Sequence, residues 1–313
     1  MIGKRLRIKL LLMCISGGAF AQQDPMYTQY MFNTLAINPA YAGSRNVLSV
    51  TGLYRSQWVG MQGAPETQTL SFDTSLPNKK VGLGLQIFND KIGITQTTGA
   101  FASYAFRIRM DESTLAFGIQ GGVSNFKANY TLVETNQGTP GGNDPAFRED
   151  LNMYLPNFGA GVYYNTDRFY LGIGVPHLLN NVLTKSNSVI VTNGLAARQF
   201  LHVFLTTGFV LDINDDFKLK PSVLVKGVRG APLEVDANSN LWIKDVFSVG
   251  FQYRHKADVA ALFEVQVNPQ IRIGYSYDRN TTRLVNFNSG SHEIMLRYEF
   301  GFEEDRILAP RYF

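Results

Sequence analysis

The sequence has a single cysteine, Cys14, among 313 residues, and charged side chains make up only 17% of it. Ordinary soluble domains carry about 25% charge. The four histidines, His177, His202, His255 and His292, stand far apart and show none of the spacings of a metal site. There is no P-loop and no nucleophile elbow. Nor is there a run of ~18 apolar residues that could cross a membrane as a helix. These absences exclude a small disulfide-stapled secreted domain and a helical membrane protein. They leave no candidate catalytic residue, metal or cofactor. What the chain has instead is 12% aromatic residues, 29 glycines and 45% apolar residues, a profile incompatible with disorder.

The net charge of +4 is local. Residues 1–21 hold four of the 29 basic residues, Lys4, Arg5, Arg7 and Lys9, and no acidic one, so the remainder carries 25 of each sign. A nucleic-acid binder needs a basic surface, and that reading loses its support. The same segment reads as a secretory signal: a charged start, a mostly apolar run from Leu10 to Gly17, and the A-x-A site Ala19-Phe20-Ala21. Cleavage there makes Gln22 the first residue and removes Cys14. The mature protein is then exported and free of cysteine.

From about Asn46 to Phe302 the chain alternates with a period of two. Val81, Leu83, Leu85 and Ile87 alternate with Gly82, Gly84 and Gln86; Val259, Ala261, Phe263 and Val265 alternate with Ala260, Leu262 and Glu264. Successive strand side chains point to opposite faces, so each segment has one apolar and one polar or small face. Fourteen segments are expected, near 46–56, 66–76, 80–89, 96–109, 113–126, 156–165, 168–176, 199–211, 217–226, 233–243, 246–254, 258–267, 270–279 and 292–302. Most are about ten residues long, enough for a tilted strand to span a bilayer. The even-numbered links are short, and the longest, 127–155, 177–198 and 280–291, are all odd-numbered. Outer-membrane barrels have short periplasmic turns and longer external loops. The expected fold is therefore all-β: a transmembrane antiparallel up-and-down β-barrel of about 14 strands, spanning 46–302. A soluble sandwich with the apolar face as its core also fits the alternation, although it need not show this parity.

On the barrel reading the apolar face meets lipid. The polar face, with Arg55, Asp73, Arg107, Glu234, Asp236, Arg254, Glu264, Arg272, Glu293, Arg297 and Glu299, lines a hydrogen-bonded or plugged lumen. Gly82-x-Gly84, Gly159-x-Gly161 and Gly172-x-Gly174 each place two glycines on one strand face, where they make room in that lumen. Residues 22–45 form an N-terminal periplasmic segment: either a plug or cap, or a leader packed against the first strand. Met26, Tyr27, Tyr30, Met31 and Phe32 suggest a short amphipathic helical turn, ended by Asn38-Pro39. Residues 303–313 form a C-terminal tail.

Several stretches resemble the PorP/SprF family of outer-membrane proteins of the type IX secretion system of Bacteroidota. They are DPMYTQYMFNTLAINPAYAGS (24–44), YRSQWVGMQGAPETQTLSFDTSL (54–76), GLGLQIFNDKIG (82–93), YLGIGVPHLL (170–179), LKPSVLVKGVRGAPLEVDAN (219–238), NPQIRIGYSYD (268–278) and NSGSHEIMLRYEF (288–300), with RYF at the end. The blocks run in family order; 127–155 and 180–198 lack them. The resemblance implies a non-enzymatic outer-membrane component that helps secrete or anchor an adhesin-like cargo with a type B C-terminal sorting domain, as in gliding motility. It implies periplasmic lipoprotein or ring components of the machinery as further partners. A passive channel or small-solute transporter is the alternative. Partner specificity is expected in loops 127–155 and 177–198, since binding concentrates in loops held by a rigid scaffold. Phe147, Arg148 and Tyr154 are the candidate contacts, because aromatics and Arg are enriched at hot spots.

Overall fold

The computed structural model describes residues 26–133, 149–183 and 198–300. The expected signal segment, the tail 303–313, Phe147 and Arg148 lie outside the described residues. Fourteen antiparallel strands follow in chain order: β1 (Leu48–Ser56), β2 (Glu66–Ser75), β3 (Val81–Ile92), β4 (Thr95–Arg109), β5 (Ser113–Ala128), β6 (Leu151–Thr166), β7 (Phe169–Val175), β8 (His202–Phe209, continued by Leu211–Asp212), β9 (Phe217–Val228), β10 (Glu234–Ile243), β11 (Phe247–Arg254), β12 (Asp258–Gln266), β13 (Ile271–Asn280) and β14 (Ser291–Phe300). Each pairs with its sequence neighbours, and β14 pairs back onto β1 from Leu48↔Phe300 to Ser56↔His292. The sheet is closed and has no free edge.

The even-numbered links, 76–80, 110–112, 167–168, 213–216, 244–246 and 267–270, lie at one end with the start of β1. The odd-numbered links, including 129–150, 176–201 and 281–290, lie at the other. We call these the short-turn end and the long-loop end. At Lys244-Asp245 both residues take positive φ, the turn geometry that matches the twist of a tight hairpin.

The two faces of the wall are opposite in character. Exposed Leu85, Ile87, Phe117, Ile119, Val249, Phe251, Phe263, Ile273, Ile294 and Leu296 point outward, while Asp73, Arg55, Arg107, Asp236, Arg254, Glu264, Glu293, Arg297 and Glu299 are buried inside. A soluble sandwich would have the reverse. An apolar outer belt on a closed barrel is the arrangement that hydrocarbon demands, because no backbone group is left unpaired in it. Phe263 sits near the middle of β12 and is 48% exposed on that belt. Phe263→Arg should therefore cost ~2–4 kcal/mol, whereas Val267→Arg, at the rim, should cost about 0–1 kcal/mol. Urea unfolding in lipid vesicles would read both, and equal costs would contradict this membrane placement.

Several strand ends differ from the alternation reading. β5 runs to Ala128 and β6 begins at Leu151, so the loop expected at 127–155 is shorter, and Tyr154 is a strand residue. β8 is interrupted at Val210. The periodicity failed at the top of β6 because the polarity reverses there. Leu151 and Leu155 turn inward against Phe126, Ala128 and Leu183, while Asn152 and Tyr154 face out.

Candidate functional site

The lumen is occupied. Residues 26–45 run through it as a strap of three short 3-10 turns, Tyr30–Phe32, Thr34–Ala36 and Pro39–Tyr41. Asn38-Pro39 starts the third turn rather than ending a helix: the Asn38 carboxamide accepts from the Ala40 N–H at 3.0 Å, with Pro39 in the first helical position. Tyr27, Tyr30, Phe32, Leu35, Ile37 and Tyr41 are all buried. Burying a side chain such as Phe32, Leu35 or Ile37 is worth about 1.5–3 kcal/mol each, so the strap is a core element and not a loose leader.

One half of the barrel admits the strap by having no side chains. A Cβ on Gly82 would lie 1.9 Å from the Ala42 carbonyl oxygen, one on Gly118 2.2 Å from the Ala40 nitrogen, and one on Gly161 2.1 Å from Asn38 Oδ1. One on Gly174 would meet the Ile37 carbonyl oxygen at 2.2 Å. The strap thus crosses β3, β5 and β7 in backbone contact and meets β6 through the Asn38 side chain. Gly43 takes φ +71° where the strap turns into β1, and a Cβ there would press on Gly82 and Thr74 at 2.8 Å.

The other half holds the strap by charge. At the long-loop end Arg55 on β1 pairs with Asp278 at 2.6 Å and Glu293 at 2.9 Å. It also donates to Thr28 Oγ1 at 2.6 Å. Thr28 Oγ1 donates to Asp278 at 2.6 Å, and the Thr28 and Gln29 backbone N–H groups donate to the two oxygens of Glu293 at 2.9 and 2.8 Å. Beside this cluster Arg254 binds Asp236, Asp258 and Glu234 at 3.0–3.2 Å. At the short-turn end Arg45 pairs with Glu299, Arg297 donates to the Phe32 carbonyl, and the Gly43 N–H donates to Asp73 at 3.2 Å. The strap therefore runs from the long-loop end at Met26 down to the short-turn end at Arg45. Sequence reasoning placed most of these wall charges in the lumen, missed Asp258 and Asp278 near the strand ends, and did not show that the strap is what they hold.

A second cover lies above it. After β7 the chain folds inward: the Pro176 carbonyl accepts from Gln120 at 2.9 Å and the His177 ring meets Phe101 at 5.3 Å. Asn157 clamps Leu179 through both of that residue's backbone groups, at 2.9 and 3.0 Å. Of the expected contact residues, Tyr154 is 75% exposed on the outer face of β6.

The model of the family described as "Type IX secretion system membrane protein PorP/SprF" matches residues 19–298. The chain belongs to the PorP/SprF family. It is accordingly an outer-membrane β-barrel and a membrane component of the type IX secretion system, and it works alongside that machinery. The PorP/SprF match takes in the strap and all but the end of β14. No curated protein matches the chain. Among solved structures, the outer membrane protein Omp33 of Acinetobacter baumannii is similar at 8% identity and TM-score 0.47, over 82% of this chain and 99% of that one. The NanC porin is similar at 12% identity and TM-score 0.41, over 82% and 100%. The KdgM porin is similar at 8% identity and TM-score 0.37, over 81% and 99%.

Proposed function

We propose that this barrel is a closed scaffold rather than a conduit, and that it helps secrete or anchor at the cell surface an adhesin-like cargo with a type B C-terminal sorting domain, as in gliding motility. The observation that carries this reading is the filled lumen. The passive-channel alternative needs an open path, and the strap, the glycine contacts and the buried ion pairs occupy the lumen along residues 26–45. Parity of the links supports an external long-loop end. Cargo then meets the links 129–150 and 176–201, with Phe147 and Arg148 as contacts in the first and Tyr154 beside them on the outer face of β6. The short-turn end faces the periplasm, where a lipoprotein or ring component is the partner. A polar concavity of about 520 Å³ there, between Arg109, Asp111, Glu112 and Arg168, supports such a contact.

The orientation has its own test. Once the signal segment and Cys14 are removed, the chain has no cysteine. Met26→Cys should be labelled by a membrane-impermeant maleimide on intact cells, although it lies in the N-terminal segment. Asp167→Cys should be labelled only after permeabilisation, and the opposite pattern would invert the barrel. For cargo, both long links should be exchanged with those of a related barrel serving another adhesin. Transfer of cargo choice with normal assembly is expected. A chimera that assembles and still displays only its original cargo would place specificity elsewhere, in the strap or the lumen wall.

A further inference from the structure

The outer face of β2–β6 changes character in one step along the strands. Across these five strands the outward residues in register are Leu70, Ile87, Ala100, Val123 and Pro156, an apolar row. The next outward row toward the long-loop end is Gln68, Asn89, Thr98, Asn125 and Tyr154, and the one beyond it is Glu66, Lys91, Gln96, Lys127 and Asn152. The side chains of these two rows are linked: Asn89 Oδ1 accepts from Gln96 at 2.7 Å and from Thr98 at 2.9 Å, and Asn125 donates to Asn152 at 2.6 Å. Strand length explains the step. β5 has 16 residues; at ~3.4 Å per residue and a tilt of ~40° it rises roughly 40 Å, against an apolar band of ~25 Å. The wall therefore stands well clear of the hydrocarbon. The far side of the barrel is different, with Tyr253, Tyr277 and His292 at the same end, the usual aromatic girdle.

A groove joins the two zones. Gly52 on β1 has no side chain, and a Cβ built there meets nothing closer than 3.9 Å. The groove over it holds about 460 Å³, within the roughly 300–1,000 Å³ of ordinary ligand pockets. Its floor is Leu70, Ile87, Ile294 and Leu296, and one end is Gln68, Asn89 and Thr98. An apolar trough on the lipid face leads directly to a bed of amides with two lysines above it. Glu66 stands opposite Lys91, and the register neighbours of Lys127 are Gln96 and Asn152.

We propose that this face binds a phosphorylated glycolipid of the outer leaflet, with an acyl chain in the groove over Gly52, sugar hydroxyls on the amide rows, and phosphate at Lys91 and Lys127. The occupant follows from the continuity of the site. Whatever covers the amide rows is attached to what fills the lipid-facing trough beneath, and cationic and amide donors suit a phosphate carried on a sugar. The assignment to the outer leaflet rests on the orientation proposed above.

The test uses the full-length barrel in mild detergent, titrated with lipid A, dephosphorylated lipid A and phosphatidylglycerol and read by native mass spectrometry. Lipid A should be retained at least about tenfold more tightly than either other lipid, the scale of one charge-assisted contact. Lys91→Gln with Lys127→Gln should remove that preference, and Gly52→Leu, which fills the trough, should weaken both forms of lipid A. Lys256→Gln, in the link 255–257, should change nothing. Equal retention of phosphorylated and dephosphorylated lipid A, or a double lysine variant that binds like the parent, would overturn the proposal. Preferential retention of phosphatidylglycerol would also overturn it. Combined with labelling of Met26→Cys only from the periplasm, that outcome would mean the orientation had failed. With Met26→Cys labelled from outside, only the glycolipid site would have failed. The readout needs no cargo, so it does not depend on the adhesin.

Discussion

Arg55→Met should destabilise the barrel by about 3–5 kcal/mol, the cost of leaving buried charges without their partner. Arg55 is 1% exposed and is the cation between Asp278 and Glu293, themselves 2% and 0% exposed. Without it two carboxylates face each other behind Thr28 in a space closed to water. The variant should unfold in urea at a clearly lower midpoint in lipid vesicles, with the loss concentrated at the long-loop end of the strap. Neutralising the acids in the same chain, with Asp278→Asn and Glu293→Gln, should recover most of the loss. A buried ion pair is worth little against a neutral replacement and a great deal against its own half. If the triple variant is as unstable as Arg55→Met alone, packing of the arginine stem, and not charge, holds the strap.

The fold was legible in the chain to a degree set by how uniform the physics is along each strand. Between the two membrane surfaces every strand meets hydrocarbon on one side and the lumen on the other. Alternation such as Leu83-Gly84-Leu85-Gln86-Ile87 therefore marks both the strand and its faces, and the link lengths add the closure. Beyond the hydrocarbon the outer face meets water and the inner face packs against folded-in links. Leu151 and Leu155 then look inward while Asn152 and Tyr154 look outward, and a rule tuned to the membrane starts β6 too late. The site was legible only in its parts. Asp258 and Asp278 were missed, but most of the wall charges and the glycine pairs were recognisable as lumen residues. Their common partner was not, because Asn38, Ala40 and Ala42 touch Gly161, Gly118 and Gly82 across a separation that no local pattern encodes. Thr28 and Gln29 bind Glu293 through backbone N–H groups, which leave no trace in side-chain identity.

The seat of the strap on β5 also supplies a large change expected from a single methyl group. Gly118 faces the strap, and its missing Cβ would lie 2.2 Å from the Ala40 nitrogen and 2.4 Å from Ala40 Cα. Both are backbone atoms, so no rotamer change relieves the overlap, and either wall or strap must move. Gly121, three residues along the same strand, faces outward; a Cβ there meets only the Phe158 ring at 3.4 Å, ordinary contact. The wall is tied through an unbroken ladder from Ser113↔Thr166 to Ala128↔Leu151. The strap is tied by its ends, so the strap should yield. In planar bilayers the parent barrel should pass no steady ionic current, because its lumen is filled. Gly118→Ala should show discrete conductance steps while keeping heat-modifiable migration in detergent, the mark of an assembled barrel, and Gly121→Ala should behave as the parent. A barrel lacking residues 26–42 gives the upper limit, the conductance of the open lumen. If Gly118→Ala folds as the parent does and conducts no more, the strap is not seated on β5 as described. If the parent itself conducts like the strapless barrel, the lumen is a passage and the scaffold reading fails with it.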